Sequence, residues 1–470
     1  MGIEPRRRPH QGISRRRSSW AVAAGAMVVA LVVQFAPAAA PAASAASQTG
    51  TAIQAQARAV IANAFSTPVR LGFQAGDDWE PALAGDRYGG LYVLYKHYDV
   101  KHGGTCRGCD LHLLLQRSTD GGQTWTRPLP ITPDPVDGGQ YDSQLVVDPV
   151  DGRTLWAAFL QGDVSSVAVT HSTDLGRTWA PMTIVSGPTP GFDKPELAVR
   201  GQTVAVAYDD DVNSFASVSS DGGRTWAKQR IFAGDAGFQV PLAGGAGIDS
   251  RGDLFFAFES FDAAHADAAD GPNSVWVARS GDRGRHWTRT IVDVSGAPPP
   301  CTDCGYDFLG AQMTLAVGSD DSVYLAWNGT LGPTDDGAAQ RIFFARSVDH
   351  GRTYSPRREV STAPVGVAHA FPALAVGARP GDVRIGWMDT RTGAWNVFER
   401  ESRDGGRAFG ATRQVSSYVP GYDYLAADGF GLPYGDYFEM HVDPAGHTDI
   451  AWGEGPDYWG PGNIWFSREH

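Results

Sequence analysis

The sequence predicts an all-β chain folded as a ring of seven four-stranded blades, a β-propeller. Three observations carry that expectation. An eight-residue stretch, Ser118-Thr119-Asp120-Gly121-Gly122-Gln123-Thr124-Trp125, returns five more times: Ser172–Trp179, Ser219–Trp226, Ser280–Trp287, Ser347–Tyr354 and Ser402–Phe409. Its acidic residues, Asp120, Asp174, Asp221, Asp282, Asp349 and Asp404, lie 47 to 67 residues apart, a period that suits one blade per repeat. The 58 Gly, 30 Pro and 14 Trp suit turns and aromatic-packed strands better than helices.

Each residue type in the repeat has a mechanical reason. The Asp side chain accepts backbone N–H groups of its own turn, and the Gly takes the positive φ that other residues resist. The aromatic then tucks under the turn as the next strand begins. The six Asp residues are therefore expected to be structural.

The strands are expected in a fixed order, three before each repeat and one after it. Inner strands open at Pro81-Ala82-Leu83, Gln144-Leu145-Val146, Pro195-Glu196-Leu197, Ala246-Gly247-Ile248, Leu315-Ala316-Val317 and Pro372-Ala373-Leu374. A seventh unit starts at Met440-His441-Val442, has a third strand at Asn463–Ser467, and stops at His470 without a repeat. Phe65–Leu71 resembles the strand that follows the fifth repeat, Tyr354–Val360. The N-terminal strand is therefore expected to complete the seventh blade, which leaves no open sheet edge in the ring. The alternative is a six-bladed ring with the C-terminal unit packed differently.

The repeats resemble Asp-box (BNR) repeats, as found in sialidases and in other propeller families. The resemblance implies the fold and leaves the activity open, because fold does not carry function with it. Sialidases of this kind imply three arginines for a substrate carboxylate, held in bidentate geometry, a Tyr–Glu nucleophile pair and an Asp acid/base. The stretch matching their first arginine motif is Asp78-Trp79-Glu80-Pro81, with Trp79 where Arg would stand. Arg391 is the one arginine at a convincing funnel position. The catalytic arginine motif is thus not matched.

Around the ring, residues 1–45 are expected to be a signal peptide. Six Arg precede an apolar run from Trp20 to Phe35, and Ala43-Ser44-Ala45 is a small-residue cleavage site. The Sec and twin-arginine routes both stay open. Residues 46–64 read as a flexible lead-in and residues 65–470 as one propeller domain. The formal charge is −13 for the chain, and residues 1–45 hold six Arg against one Glu, so the remainder carries −18. That excess argues against nucleic acid and anionic membranes as partners. A secreted monomer is expected, with no membrane insertion after signal cleavage.

The face opposite the Asp boxes carries the links between blades and is the expected functional face. Aromatic–acid pairs recur there: Tyr141-Asp142, Phe192-Asp193, Tyr306-Asp307 and Tyr422-Asp423, with Trp79 and Asp436-Tyr437 as variations. They are candidate ligand platforms; each pair also reads as an interblade aromatic with a turn-capping Asp. Candidate acid/base or binding groups are Glu80, Asp142, Asp193, Glu259, Asp389, Arg391, Asp436, Tyr437 and Glu454. Asp209, Asp210 and Asp211 would admit a calcium ion, although a solvated acidic loop is the commoner reason for such a run. No cofactor is required. Cys106/Cys109 and Cys301/Cys304 form two CxxC pairs, read as local disulfides in an exported chain, with a shared metal site as the alternative.

Three functions follow as alternatives. The first is recognition of an extracellular glycan or glycoconjugate, with catalysis left open. The second is a sialidase-like glycoside hydrolase, and the third a protein-binding scaffold.

Overall fold

The structure, a computed structural model, describes residues 60–470 apart from 63, 73–76, 99–111, 133–137, 163, 188–190, 211, 235–239, 263–269, 298, 300–311, 417–428, 434–437 and 456–461. Cys106, Cys109, Cys301, Cys304, Tyr306, Asp307, Tyr422, Asp423, Asp436, Tyr437 and Asp211 lie outside the described residues, as does the segment 1–45. No helix among the described residues is long and apolar enough to cross a membrane.

Seven sheets make the blades, and in five of them all the strands run antiparallel in chain order; the other two each take in an N-terminal strand. Blade one is Asp77–Gly85, Leu91–Tyr98, Leu113–Ser118 and Leu129–Pro130. Arg58–His470 form one compact unit. Second strands are buried almost throughout, as in Leu155–Gln161 and Val323–Gly329. They are covered on both faces, so they read as continuous apolar runs instead of alternating ones. The core is accordingly a set of wedges between neighbouring blades. Trp156, Leu160 and Val169 of blade two meet Leu197, Val206 and Tyr208 of blade three in one such wedge.

The ring closes as the sequence predicts, with seven blades and not six. Val69–Arg70 pair antiparallel with Asn463–Arg468, Val69 opposite Phe466. Ser66 N–H donates to Arg468 O, and Leu71 N–H to Ile464 O, both at 2.8 Å. The lead-in contributes as well: Val60–Ile61 pair in parallel with Thr412–Gln414 at the outer edge of blade six. In blade seven the inner strand comes in two pieces, Leu432–Pro433 and Glu439–Val442, both on Thr448–Gly455.

Each Asp box is a closed hydrogen-bonded turn between third and fourth strands. Ser118 Oγ donates to Asp120 Oδ1 at 2.8 Å and accepts Gly122 N–H at 2.9 Å. Asp120 Oδ1 accepts Thr124 N–H at 2.9 Å, and the Thr124 hydroxyl donates to Oδ2. The Trp125 ring N–H returns to Gly122 O at 3.0 Å. The sixth box has Ala408 in place of the threonine; Asp404 Oδ1 keeps Ala408 N–H at 2.9 Å and the Ser402 hydroxyl at 2.8 Å, and loses the threonine hydroxyl.

The box also docks each blade on the one before it. Gly406 has φ 78°, and a Cβ there would stand 2.1 Å from Phe344 of blade five. Gly122 of blade one meets Phe466 of blade seven in the same way. Glycine is thus required twice over, by the left-handed backbone and by the neighbouring ring. Gly222 N–H donates to Gln202 O and Gly405 N–H to Gly381 O, each at 2.9 Å. The boxes therefore share a face with the turns joining first and second strands.

Candidate functional site

The inner strands break register at one common level, near the ends fed by the interblade links. In blade one Trp79 pairs with Lys96 and Ala82 with Leu94, so Glu80 and Pro81 oppose a single residue. The same bulge lies between Tyr141 and Gln144, between Asp193 and Glu196, and between Ala370 and Ala373. Blade four has an extra Gly244 between Ala243 and Gly245. A bulge re-aims the side chain it carries.

Four of these bulges hold a non-glycine residue at positive φ: Glu80 at 57°, Asp142 at 51°, Lys194 at 47° and Phe371 at 49°. Three of the four precede proline, a position that disfavours helical backbone. Such conformations cost about 1–3 kcal/mol each and persist only where the surroundings over-determine them. This strain recurs at equivalent positions of blades one, two, three and six at the channel mouth, and on the other face at Leu175, Arg283 and His350 of three Asp boxes; at the mouth it accompanies a bulge that re-aims the side chain.

The mouth gathers acid around one lysine. Burial raises the Glu80 carboxyl above its usual range, against the opposing pull of Lys194 and a hydrogen bond with Asp142. Burial, then the neighbouring charges of Glu80 and Asp193, push Asp142 well above its usual range. Asp142 also hydrogen-bonds Asp193, whose Oδ1 accepts Lys194 N–H at 2.9 Å. Glu80, Asp142 and Asp193 thus form one linked set. Carboxyls in hydrogen-bond contact share a proton, as like charges this close cannot both ionise.

Deeper in the channel, Gln144, Lys194, Glu196, Gly244, Phe371 and Glu439 line a cavity of ≈ 40 Å³. That volume holds a few waters. Burial raises Glu439 to about 8, with a Gln144 hydrogen bond acting against the rise. Burial and the facing Glu439 raise Glu196, opposed by Lys194.

An aromatic flank adjoins the acids. Trp79 Nε1–H donates to Asp77 Oδ1 at 2.8 Å, and its ring meets Tyr98 edge-on at 6.0 Å. Lys96 Nζ stands 4.5 Å from the Tyr141 ring centre and 4.9 Å from that of Tyr98. Burial and the charge on Glu80 hold the Tyr98 hydroxyl protonated. Phe192 is buried, edge-on to Tyr208 at 5.4 Å, within the wedge between blades two and three.

The remaining candidates lie at the ends of second strands, inside the blades. Asp209 accepts Ser214 Oγ–H and Ala243 N–H, and burial raises it to about 8. Asp210 caps a turn by accepting Val212 and Asn213 N–H. Asp389 accepts Trp387 Nε1–H at 2.7 Å and Arg391 Nη2–H at 2.6 Å. The Arg391 guanidinium also donates to Ser361 O and lies 4.4 Å from the Phe398 ring centre. Glu454 accepts Trp452 Nε1–H at 3.1 Å and is raised by burial to about 8. Glu259 is fully buried, and burial raises it well above its usual range. The structure thus brings Glu80, Asp142 and Asp193 together and keeps Glu259, Asp389, Arg391 and Glu454 apart from them.

Lys194, Glu196, Phe371 and Glu439 are channel residues absent from the sequence-derived candidates. For Lys194 and Phe371 the available signal is the following proline within the inner strand, as in Glu80-Pro81; Glu196 and Glu439 carry no local signal that separates a channel acid from a buried one. Among the described residues, no group of three or more His, Cys, Asp or Glu is placed to hold a metal ion.

The BNR/Asp-box repeat family model matches residues 116–127. No curated protein sequence matches the chain. Solved structures of similar fold include a protein of unknown function from Dyadobacter fermentans, 16% identical over 86% of this chain and 98% of that one, TM-score 0.48. Another is the α-L-arabinanase of Penicillium chrysogenum, complexed with arabinobiose, 15% identical over 73% of this chain and 99% of that one, TM-score 0.47. A third is the NanB sialidase of Streptococcus pneumoniae, 12% identical over 70% of this chain and 68% of that one, TM-score 0.45. At these identities the likeness is one of fold.

Proposed function

We propose that this Asp-box β-propeller is an exported glycan-recognition protein whose ligand sits at the channel mouth, over Glu80, Asp142, Asp193 and Lys194. The observation that carries this is the set of strained bulges aiming Glu80, Asp142, Lys194 and Phe371 at one opening. Carboxyls and an amine suit sugar hydroxyls as acceptors and donors, and the adjoining Tyr141 and Tyr98 rings supply apolar faces. The test is binding of the purified propeller to a glycan array, repeated with Asp142→Asn. Binding lost in the variant at unchanged melting temperature supports the site. Undiminished binding by a folded Asp142→Asn protein overturns it.

A second reading, hydrolysis, is favoured by Glu196 and Glu439 facing each other in the channel. A carboxyl raised to about 8 is protonated at neutral pH and suited to donate a proton to a leaving oxygen. Release of reducing ends from a bound glycan, abolished in Glu439→Gln, would establish it. The sialic-acid version of this reading has weak support, because Arg391 is engaged by Asp389.

A further inference from the structure

The channel mouth holds more acid than it balances. Glu80, Asp142 and Asp193 stand at one level and Glu196 and Glu439 below them, with Lys194 as the cation that opposes Glu80, Asp142 and Glu196. Asp209 acts on Glu196 from behind. An acidic cluster alone says little, since acids often serve the fold. Glu196 is different. It lines the channel cavity, it is 7% exposed, and among the described residues none donates a hydrogen bond to its carboxyl. The other acids of the set have such partners: Glu80 and Asp193 in Asp142, and Glu439 in Gln144. Its carboxyl therefore faces the cavity as an open acceptor, which a donor arriving from outside can take.

We infer that the glycan recognised at the mouth carries a cationic amine, an amino sugar and not a sialic acid or uronate, with Glu196 and Glu439 receiving the ammonium. This rests on the glycan-binding reading and adds the ligand's charge to it. Among the described residues the mouth offers five carboxyl groups and one lysine, so an anionic sugar would find a single cation to pair with and would hold the acids in their protonated form. An ammonium supplies donors to both lower carboxyls and draws them into their charged form. Binding then releases protons, since burial keeps these groups protonated in the empty channel. A divalent metal fits less well: Lys194 stands among the acids, and no described group of acids or histidines has metal-binding geometry.

The experiment is isothermal titration of the purified propeller with a glucosamine oligomer, its fully N-acetylated counterpart and a sialylated oligosaccharide. Each is measured near pH 6.5 in two buffers of different protonation heat. The expected result is at least about tenfold tighter binding of the amine oligomer than of the acetylated one, about 1.4 kcal/mol, with protons released. Glu196→Gln should shrink that ratio, whereas a purely structural role would weaken both oligomers equally. Equal affinity for the two oligomers, or preference for the sialylated one, overturns the inference and leaves glycan recognition standing. Binding of none overturns both. Stoichiometric calcium binding that Glu196→Gln abolishes would make this a metal site and overturn the inference as well.

Discussion

The two faces of the ring use the same residue type in opposite ways. On one face, the Thr124 hydroxyl and N–H, followed by Ser118, hold Asp120 down to about 2. The corresponding Thr225 contacts hold Asp221 at about 2. At the channel mouth, burial lifts Asp142 well above the usual carboxylate range and Glu439 to about 8. A carboxylate surrounded by donors is spent on the fold. One that is buried among other acids strains the fold and is available to a ligand. The backbone does not divide the same way: non-glycine residues take positive φ at the mouth, in Glu80, Asp142, Lys194 and Phe371, and also in three boxes, at Leu175, Arg283 and His350.

The largest expected effect is at the box glycine. Gly406→Ala places a Cβ at positive φ and against Phe344, and should cost about 3 kcal/mol in strain and overpacking, read by denaturant unfolding. A loss below about 0.5 kcal/mol would remove the docking role given to the boxes.

The pH profiles of the two faces should run in opposite directions. A box Asp, lowered in the folded state, adds stability above its unfolded value near 4 and loses it as pH falls towards about 2. Glu439, raised in the folded state, adds stability below its unfolded value and loses it as pH rises towards about 8. Glu439→Gln should therefore gain on the parent protein between pH 5 and pH 8, by at least about 1 kcal/mol. Parallel stability curves for parent and variant across that window would show that Glu439 is not raised.

The smallest effect sharpens the box account. Ala408 leaves Asp404 without the hydroxyl donor that Thr124, Thr178, Thr225 and Thr353 supply elsewhere. Ala408→Thr should restore it and raise stability by about 0.5 kcal/mol, visible as a small rise in melting temperature.

The fold was legible because its signals are local and repeated. Ser, Asp, Gly and an aromatic at fixed spacing specify a turn regardless of the rest of the chain, and Phe65–Leu71 announces ring closure by resembling the outer strand Tyr354–Val360. The site was half legible. Glu80, Asp142 and Asp193, which the structure brings together, stand next to aromatic or proline markers. Glu259, Asp389 and Glu454 carry the same acidic signal at strand ends, yet the strands bury them inside blades. Glu196 and Glu439 were missed because nothing local separates an acid facing a channel from one facing a neighbouring sheet. That distinction depends on which way a bulge turns the strand, and on where seven inner strands converge.

The most direct test of the division of labour sets Asp142→Asn beside Asp221→Ala and measures melting temperature and glycan affinity for each. The predicted outcome is a crossed pattern: Asp142→Asn loses affinity and keeps its melting temperature, while Asp221→Ala melts earlier and keeps its affinity. The reverse pattern, with binding lost in Asp221→Ala at unchanged melting, would place the functional face on the Asp-box side and contradict the account.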